Sequence, residues 1–247
     1  MELRIHLNGI GIILGIENIS DSFQGDYNKV AGKKTEVLQI MEKLNISYHI
    51  GFILFHPSVT VSELIANVDY LYGLEKLYRW GVIIEKMRII PVERLDREYD
   101  VEGNVDVAYD YSFQDEEVTK LFNVLCRFAN LFDVRDFENI CTSTLLLMNL
   151  YSNKYEEEPK EFVCFRDEIK KYNSFAIGLF RNLFEVYKEL SEDDLFKYIK
   201  NKYFKEICSY YYSIQIKRGL VYDFVNQKDD DLPLRVFHGQ RRLNGYE

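Results

Sequence analysis

The chain has 247 residues with a formal net charge of −9, and 47% of the residues are hydrophobic. This length suits one large or two small domains, and the acidic balance argues against broad non-specific binding to nucleic acid or anionic membranes. Residues 1–6 have no apolar signal region and the apolar runs are too short to cross a bilayer, so we expect a cytoplasmic protein without a membrane partner.

The first part of the chain alternates between apolar runs and helical patterns. Three runs are predicted as buried parallel strands: residues 10–17, 46–56 and 80–90. Helical spacing follows the first two, and Thr60 with Glu63 has the sequence of a capping box at a helix start. This order is typical of parallel β/α units, so Glu17 and His56 are predicted at carboxyl ends of strands, where α/β sites form.

The second half of the chain is predicted to be helical and rich in aromatic residues. Residues 96–110 are acidic and lack periodicity, so we interpret them as a linker or surface excursion. Helices are predicted to begin near residues 115, 133, 174 and 193, the last after the start signal at Ser191. We therefore predict an α/β fold followed by α: a partial TIM-like half-barrel over residues 1–110 and a helical domain over residues 111–247.

Four segments, in this order, resemble the radical S-adenosylmethionine (SAM) enzymes of the cobalamin-binding branch. Leu14-Gly15-Ile16-Glu17-Asn18 resembles the family's fourth-strand segment. Gly51-Phe52-Ile53-Leu54-Phe55-His56-Pro57, followed by Thr60 and Glu63-Leu64, resembles the fifth-strand segment. Met87-Arg88-Ile89-Ile90-Pro91 is similar to the sixth-strand ending, and Tyr111-Ser112-Phe113-Gln114-Asp115 is similar to the start of the C-terminal extension. The similarity covers residues 1–130 and corresponds to the C-terminal half of the catalytic region.

The resemblance implies a SAM-binding role for seven residues: Glu17, Asn18, Gly51, Phe52, Ile53, His56 and Arg88. Glu17 and Asn18 would accept hydrogen bonds from the ribose, and the segment from Gly51 would offer backbone groups and an apolar wall to adenine. The residues also have ordinary structural interpretations. Glu17 is also compatible with a helix cap or a solvated carboxylate. His56 is also compatible with local hydrogen bonds, and Arg88 with a salt bridge or a solvated side chain.

The cysteine motif that holds the family's iron–sulfur cluster is absent from this chain. Its cysteines, Cys126, Cys141, Cys164 and Cys208, are too far apart in sequence for local zinc or cluster spacing. We predict no metal site, and the residues leave the catalytic group unknown. The resemblance implies that an iron–sulfur cluster and cobalamin would act only through a missing or partner chain. An open half-barrel edge would also favour a partner chain, a homodimer or coverage by the chain's own helical region.

Three functions follow from these patterns. The first is a C-terminal portion of a radical SAM-like protein that contributes ribose and adenine contacts and part of a substrate pocket. The second is a non-catalytic scaffold or protein-interaction module derived from such an enzyme, in which aromatic helices contact other proteins. The third is an unrelated α/β enzyme with a site at Glu17 and His56. Fold alone does not separate them.

Overall fold

The computed structural model describes residues 12–14, 34–43, 48–87, 101–102, 110–229 and 231, and most of them are helical. The helices in this part of the chain are α1 (Lys34–Lys43), α2 (Val61–Gly73), α3 (Trp80–Ile84), α4 (Glu116–Ala129), α5 (Val134–Tyr155), α6 (Lys160–Val186) and α7 (Glu192–Lys228). The strands are β1 (Ile12–Leu14), β2 (Tyr48–Ile50), β3 (Val101–Glu102) and β4 (Asp110–Tyr111). Within these ranges, no helix combines the length and apolar content needed to cross a bilayer.

The predicted α/β half-barrel, a partial TIM barrel of parallel strands, is wrong. β1 and β2 form a parallel pair of three residues each, and β3 and β4 form a separate antiparallel pair of two residues each. Residues 80–90, predicted as a strand, begin with helix α3, and their described part adds one isolated parallel bridge from Lys86 to Phe55. These short, separate pairs do not build a barrel wall among the described residues.

Helix α3 forms where a strand was predicted because its apolar run is short. Periodicity does not distinguish a buried strand from a buried helical turn over four or five residues. Here contacts with later helices favour the turn: the Trp80 indole donates to Tyr172, and the Gly81 amide donates to Glu138. The tertiary structure therefore decides the conformation of this segment.

The helices form a bundle in which α7 is the common element. α7 packs along α4, α5 and α6, while α6 also contacts α2, and α3 contacts α4 and α5. One hydrophobic core runs through these contacts, and its largest fully buried side chains include Trp80, Tyr151, Tyr172, Phe128, Phe137 and Phe180. The aromatic core expected for the second half is present.

Most helix starts agree with their sequence signals, and one does not. α4, α5 and α7 begin close to the predicted positions, and Ser191 caps α7 by accepting from the Asp194 amide. α6 begins at Lys160 rather than near residue 174, because Phe162, Phe165 and Ile169 continue the buried stripe towards the amino terminus.

The capping box predicted at Thr60 is confirmed. The Glu63 amide donates to the Thr60 hydroxyl at 3.3 Å, and the Thr60 amide donates to the Glu63 carboxylate at 2.9 Å. We expect Thr60→Ala to lower the free energy of unfolding by about 1 kcal/mol, because it leaves an amide of the first turn without its cap. Urea unfolding measures this change, and the exposed neighbour Ser62→Ala is the control. Equal values for the two variants would contradict a capping role.

Candidate interaction surface

The predicted cofactor-binding residues are only partly described by the structure. Glu17, Asn18 and Arg88 lie outside the described residues. Gly51 is exposed and Ile53 is half-buried, whereas Phe52 is buried with its ring stacked on Tyr70 at a centroid distance of 6.0 Å. The Phe52 ring therefore packs within the protein core, and a ligand at this segment would meet backbone groups.

His56 lies in the interior at the end of the same segment. Its side chain is 1% exposed, and Nδ1 lies 3.2 Å from the Ser58 hydroxyl. Its carbonyl accepts from the Val59 amide at 3.1 Å, which closes the turn before α2. These two hydrogen bonds join His56 to its own neighbours in sequence.

An aromatic box surrounds the ammonium group of Lys86 next to this segment. Lys86 Nζ lies 5.2 Å from the ring centroid of Tyr111, 5.1 Å from that of Phe113 and 5.3 Å from that of Phe122. It also donates to the Tyr111 carbonyl at 3.1 Å. The cation faces three π systems and a carbonyl dipole, so the box fixes α4 and the 111–113 segment to the Phe55–Lys86 bridge.

We expect Lys86→Met to lower the free energy of unfolding by about 1–2 kcal/mol, because it keeps the aliphatic stem and removes the cation–π and carbonyl interactions. Lys188→Met is the matched control, since Lys188 is exposed and its ammonium lies near one ring, that of Tyr187 at 5.7 Å. Chemical unfolding of both variants gives the comparison. A Lys86 effect no larger than the Lys188 effect would show that the box adds no stability.

A second polar cluster joins α3 to α5 in the interior. Arg79 Nε lies 3.0 Å from Glu138 Oε1, and the Gly81 amide donates to Glu138 Oε2 at 2.8 Å. A Cβ at position 81 would also lie 2.8 Å from that oxygen, so glycine permits the close approach. Burial raises the pKa of the Tyr78 phenol beside this cluster, and Cys141 adds to the effect. The cluster is suited to holding two helices together.

The thiols of this bundle are held in their protonated form where they are buried. Burial raises the pKa of Cys126 to about 11 despite the opposing effect of Lys86, and burial raises that of Cys141 well above its usual range. Protonated thiols are weak nucleophiles and weak metal ligands. In the ranges that the structure describes, no three His, Cys, Asp or Glu side chains are placed to hold a metal ion.

The most prominent surface feature is an apolar stripe on the solvent side of α7. Tyr212, Ile216 and Leu220 succeed one another at four-residue spacing, with 67%, 49% and 46% of their surface exposed. The opposite side of α7 is buried in the bundle through Ile207, Ile214 and Val221. Polar and small exposed residues flank the stripe; we call the set the outer face of α7, and it comprises Lys205, Ser209, Tyr212, Ile216, Gly219, Leu220 and Asp223.

Sequence reasoning missed this surface. Of the three consecutive tyrosines on α7, Tyr210 and Tyr211 are half-buried and Tyr212 is exposed. The Tyr-x3-Ile-x3-Leu spacing was the available signal. It was ambiguous, because α7 carries a second apolar stripe that faces the bundle.

Comparisons with protein-family models, curated proteins and solved structures find no match to this chain.

Proposed function

We propose that this chain is a protein-interaction module that docks a partner through the outer face of α7. The observation that carries the proposal is the exposure of Tyr212, Ile216 and Leu220 in line on one helix. Contiguous apolar side chains rimmed by polar ones mark interaction sites, and tyrosine is enriched where binding energy concentrates. A helix firmly packed on its other side presents such a stripe without having to fold on binding.

The rigidity of the helix supports this role. The amino-terminal half of α7 is joined to α4 through the Arg127 guanidinium. This group lies 2.8 Å from the Asp193 carboxylate and 4.2 Å from the centroid of the Phe196 ring. Its carboxyl-terminal half is tied to α5 through Phe224, whose ring contacts that of Tyr151. Binding to a preformed surface avoids the entropy cost of ordering it.

Photo-crosslinking in cells that express the chain tests the proposal without knowledge of the partner. We expect p-benzoylphenylalanine in place of Tyr212 to form a covalent adduct with another polypeptide on irradiation. The matched control places the same group at Val163, which is 42% exposed on α6. Absence of an adduct at position 212, or equal adducts at both positions, would contradict the proposal.

A cytoplasmic location is part of this proposal. All four cysteines are free thiols, as expected for a chain kept in a reducing compartment. Fractionation of expressing cells is the direct measurement, and recovery of the chain with secreted proteins would contradict it.

A second candidate function, SAM binding, is favoured by the pairing of β1 with β2. The two strands are parallel, with Leu14 in register with Ile50, so their carboxyl ends lie at the same edge. In the sequence, Glu17 and Asn18 come soon after β1, and Gly51 directly follows β2. The resemblance to radical SAM enzymes assigns ribose and adenine contacts to these residues. Under this proposal a separate chain would supply the iron–sulfur cluster and cobalamin.

Calorimetric titration of the purified chain with SAM tests this second function. We expect heat of binding in the parent and a roughly 10–100-fold weaker affinity in Glu17→Ala, because a carboxylate that accepts from ribose hydroxyls contributes about 1.5–3 kcal/mol. Arg181→Ala, which changes an exposed charge on α6, is the control. No heat in the parent, or equal affinities in parent and Glu17→Ala, would overturn the proposal.

A further inference from the structure

We infer that the partner of the outer face of α7 is a second copy of this chain, with the two α7 helices paired antiparallel about an axis level with Ile214. The inference rests on the proposed interaction function and names its partner. Three independent features of the outer face support it: its heptad register, the placement of its charges and the position of its small residues.

The outer face follows a heptad pattern. Ser209, Ile216 and Asp223 occupy equivalent positions seven residues apart, and Lys205, Tyr212 and Gly219 occupy the second set. These two sets have the spacing of the a and d positions of a coiled coil, and Tyr212 and Ile216 are the large apolar members at its centre. The seam from Lys205 to Asp223 is about 27 Å long at a rise of about 1.5 Å per residue, which is enough for several interlocking layers.

In an antiparallel pair, the a positions of one helix face the d positions of the other. Centred on Ile214, this places Tyr212 against Ile216 of the second copy, and Ile216 against its Tyr212. A two-fold symmetric interface must be self-complementary in this way, since each contact occurs twice. Tyr212, the most exposed apolar residue of the face, is thereby covered by Ile216 of the second copy.

The charges at the two ends of the seam are complementary in the same register. Lys205 and Asp223 are equidistant from Ile214, so each Lys205 faces Asp223 of the second copy. A parallel pairing would instead place Lys205 opposite Lys205 and Asp223 opposite Asp223. Charge placement therefore favours the antiparallel orientation and disfavours the parallel one.

The small residues of the face also match. Ser209 lies opposite Gly219 of the second copy, so two short side chains meet on either side of the central Tyr212–Ile216 layers. Gly219 lies in mid-helix, and a Cβ there would have no heavy atom within 4 Å in the monomer. A glycine at this position leaves room for the close approach of a second helix.

A charge-swap series measured by sedimentation equilibrium tests the orientation and register. We expect the purified parent chain to dimerise, and Lys205→Glu and Asp223→Lys each to raise the dissociation constant about tenfold, because two symmetric contacts become repulsive at once. The double variant should return to within about threefold of the parent. Lys170→Glu makes the same charge change on the exposed side of α6 and should leave the constant unchanged.

A buried-charge variant tests the apolar centre. Ile216→Glu should raise the dissociation constant at least about 100-fold, since it places two unpaired carboxylates in the seam. Val163→Glu on α6 is the matched control. Circular dichroism of each variant checks that the helices are retained, and both sites are solvent-exposed in the monomer, so folding should be unaffected.

The possible results separate the two proposals. A parent chain that is monomeric at every accessible concentration, or a dimer that Ile216→Glu does not weaken, overturns pairing through α7. A double charge variant that binds no better than the single ones overturns the antiparallel register. If the chain is monomeric but the crosslinker at position 212 captures a different polypeptide, the interaction function stands and the self-pairing inference fails.

Discussion

Glu138→Leu is expected to lower the free energy of unfolding by about 3–5 kcal/mol. The substitution leaves the Arg79 guanidinium, whose side chain is 7% exposed, without its carboxylate partner at 3.0 Å. It also removes the acceptor of the Gly81 amide. Removing the carboxylate from a buried ion pair costs more than the net value of the pair itself, because the guanidinium stays buried. Urea unfolding followed by circular dichroism gives the free-energy difference.

Two further variants identify the cause of that loss. Arg79→Leu combined with Glu138→Leu should be less destabilised than Glu138→Leu alone, because the buried guanidinium is removed together with its carboxylate. Asp69→Asn should change stability by less than about 0.5 kcal/mol, since its pair with Arg181 is exposed. If Glu138→Leu and Asp69→Asn had similar effects, the ion pair between α3 and α5 would not stabilise the fold.

Trp80→Ala is expected to lower the free energy of unfolding by about 4–5 kcal/mol. The indole is fully buried and contacts the rings of Phe128, Phe132 and Phe180. Its Nε1 donates to the Tyr172 hydroxyl at 2.6 Å. Removal of the ring therefore opens a cavity at the meeting point of α3, α4 and α6 and leaves a buried hydroxyl without this donor.

The milder Trp80→Phe separates the two contributions. It retains most of the aromatic volume and loses the indole donor, so we expect a loss of about 1–3 kcal/mol. Trp80 is the single tryptophan of the chain, so both variants lack tryptophan fluorescence. Circular dichroism therefore follows unfolding in the variants and in the parent. A Trp80→Ala variant as stable as the parent would contradict the central position of this ring.

Local sequence signals predicted the helices where they were self-contained. Thr60 and Glu63 specify their cap through side chains three residues apart, and Ser191 does the same for α7. Signals that depend on distant residues failed. The run at residues 80–84 is apolar enough for a strand, and its helical state depends on Tyr172 and Glu138, far away in the chain.

The candidate sites were harder to predict for a related reason. The Lys86 box consists of the rings of Tyr111, Phe113 and Phe122. The spacing of these residues in the sequence does not predict that they surround one ammonium group. On α7, Ile214 and Ile216 are equally apolar but face opposite sides of the helix. Only the packing of α4, α5 and α6 determines which of the two side chains is buried and which stays exposed for a partner.

The position of α7 in the chain has a consequence for biosynthesis. α4, α5 and α6 all precede α7, and each contacts it. While the ribosome adds the 37 residues of α7, the surfaces of three completed helices that contact α7 in the native fold remain uncovered. At about 5–20 residues per second this interval lasts for seconds, much longer than a helix takes to form. We therefore expect the nascent chain to depend on chaperones until α7 emerges, and native packing to be completed late in translation.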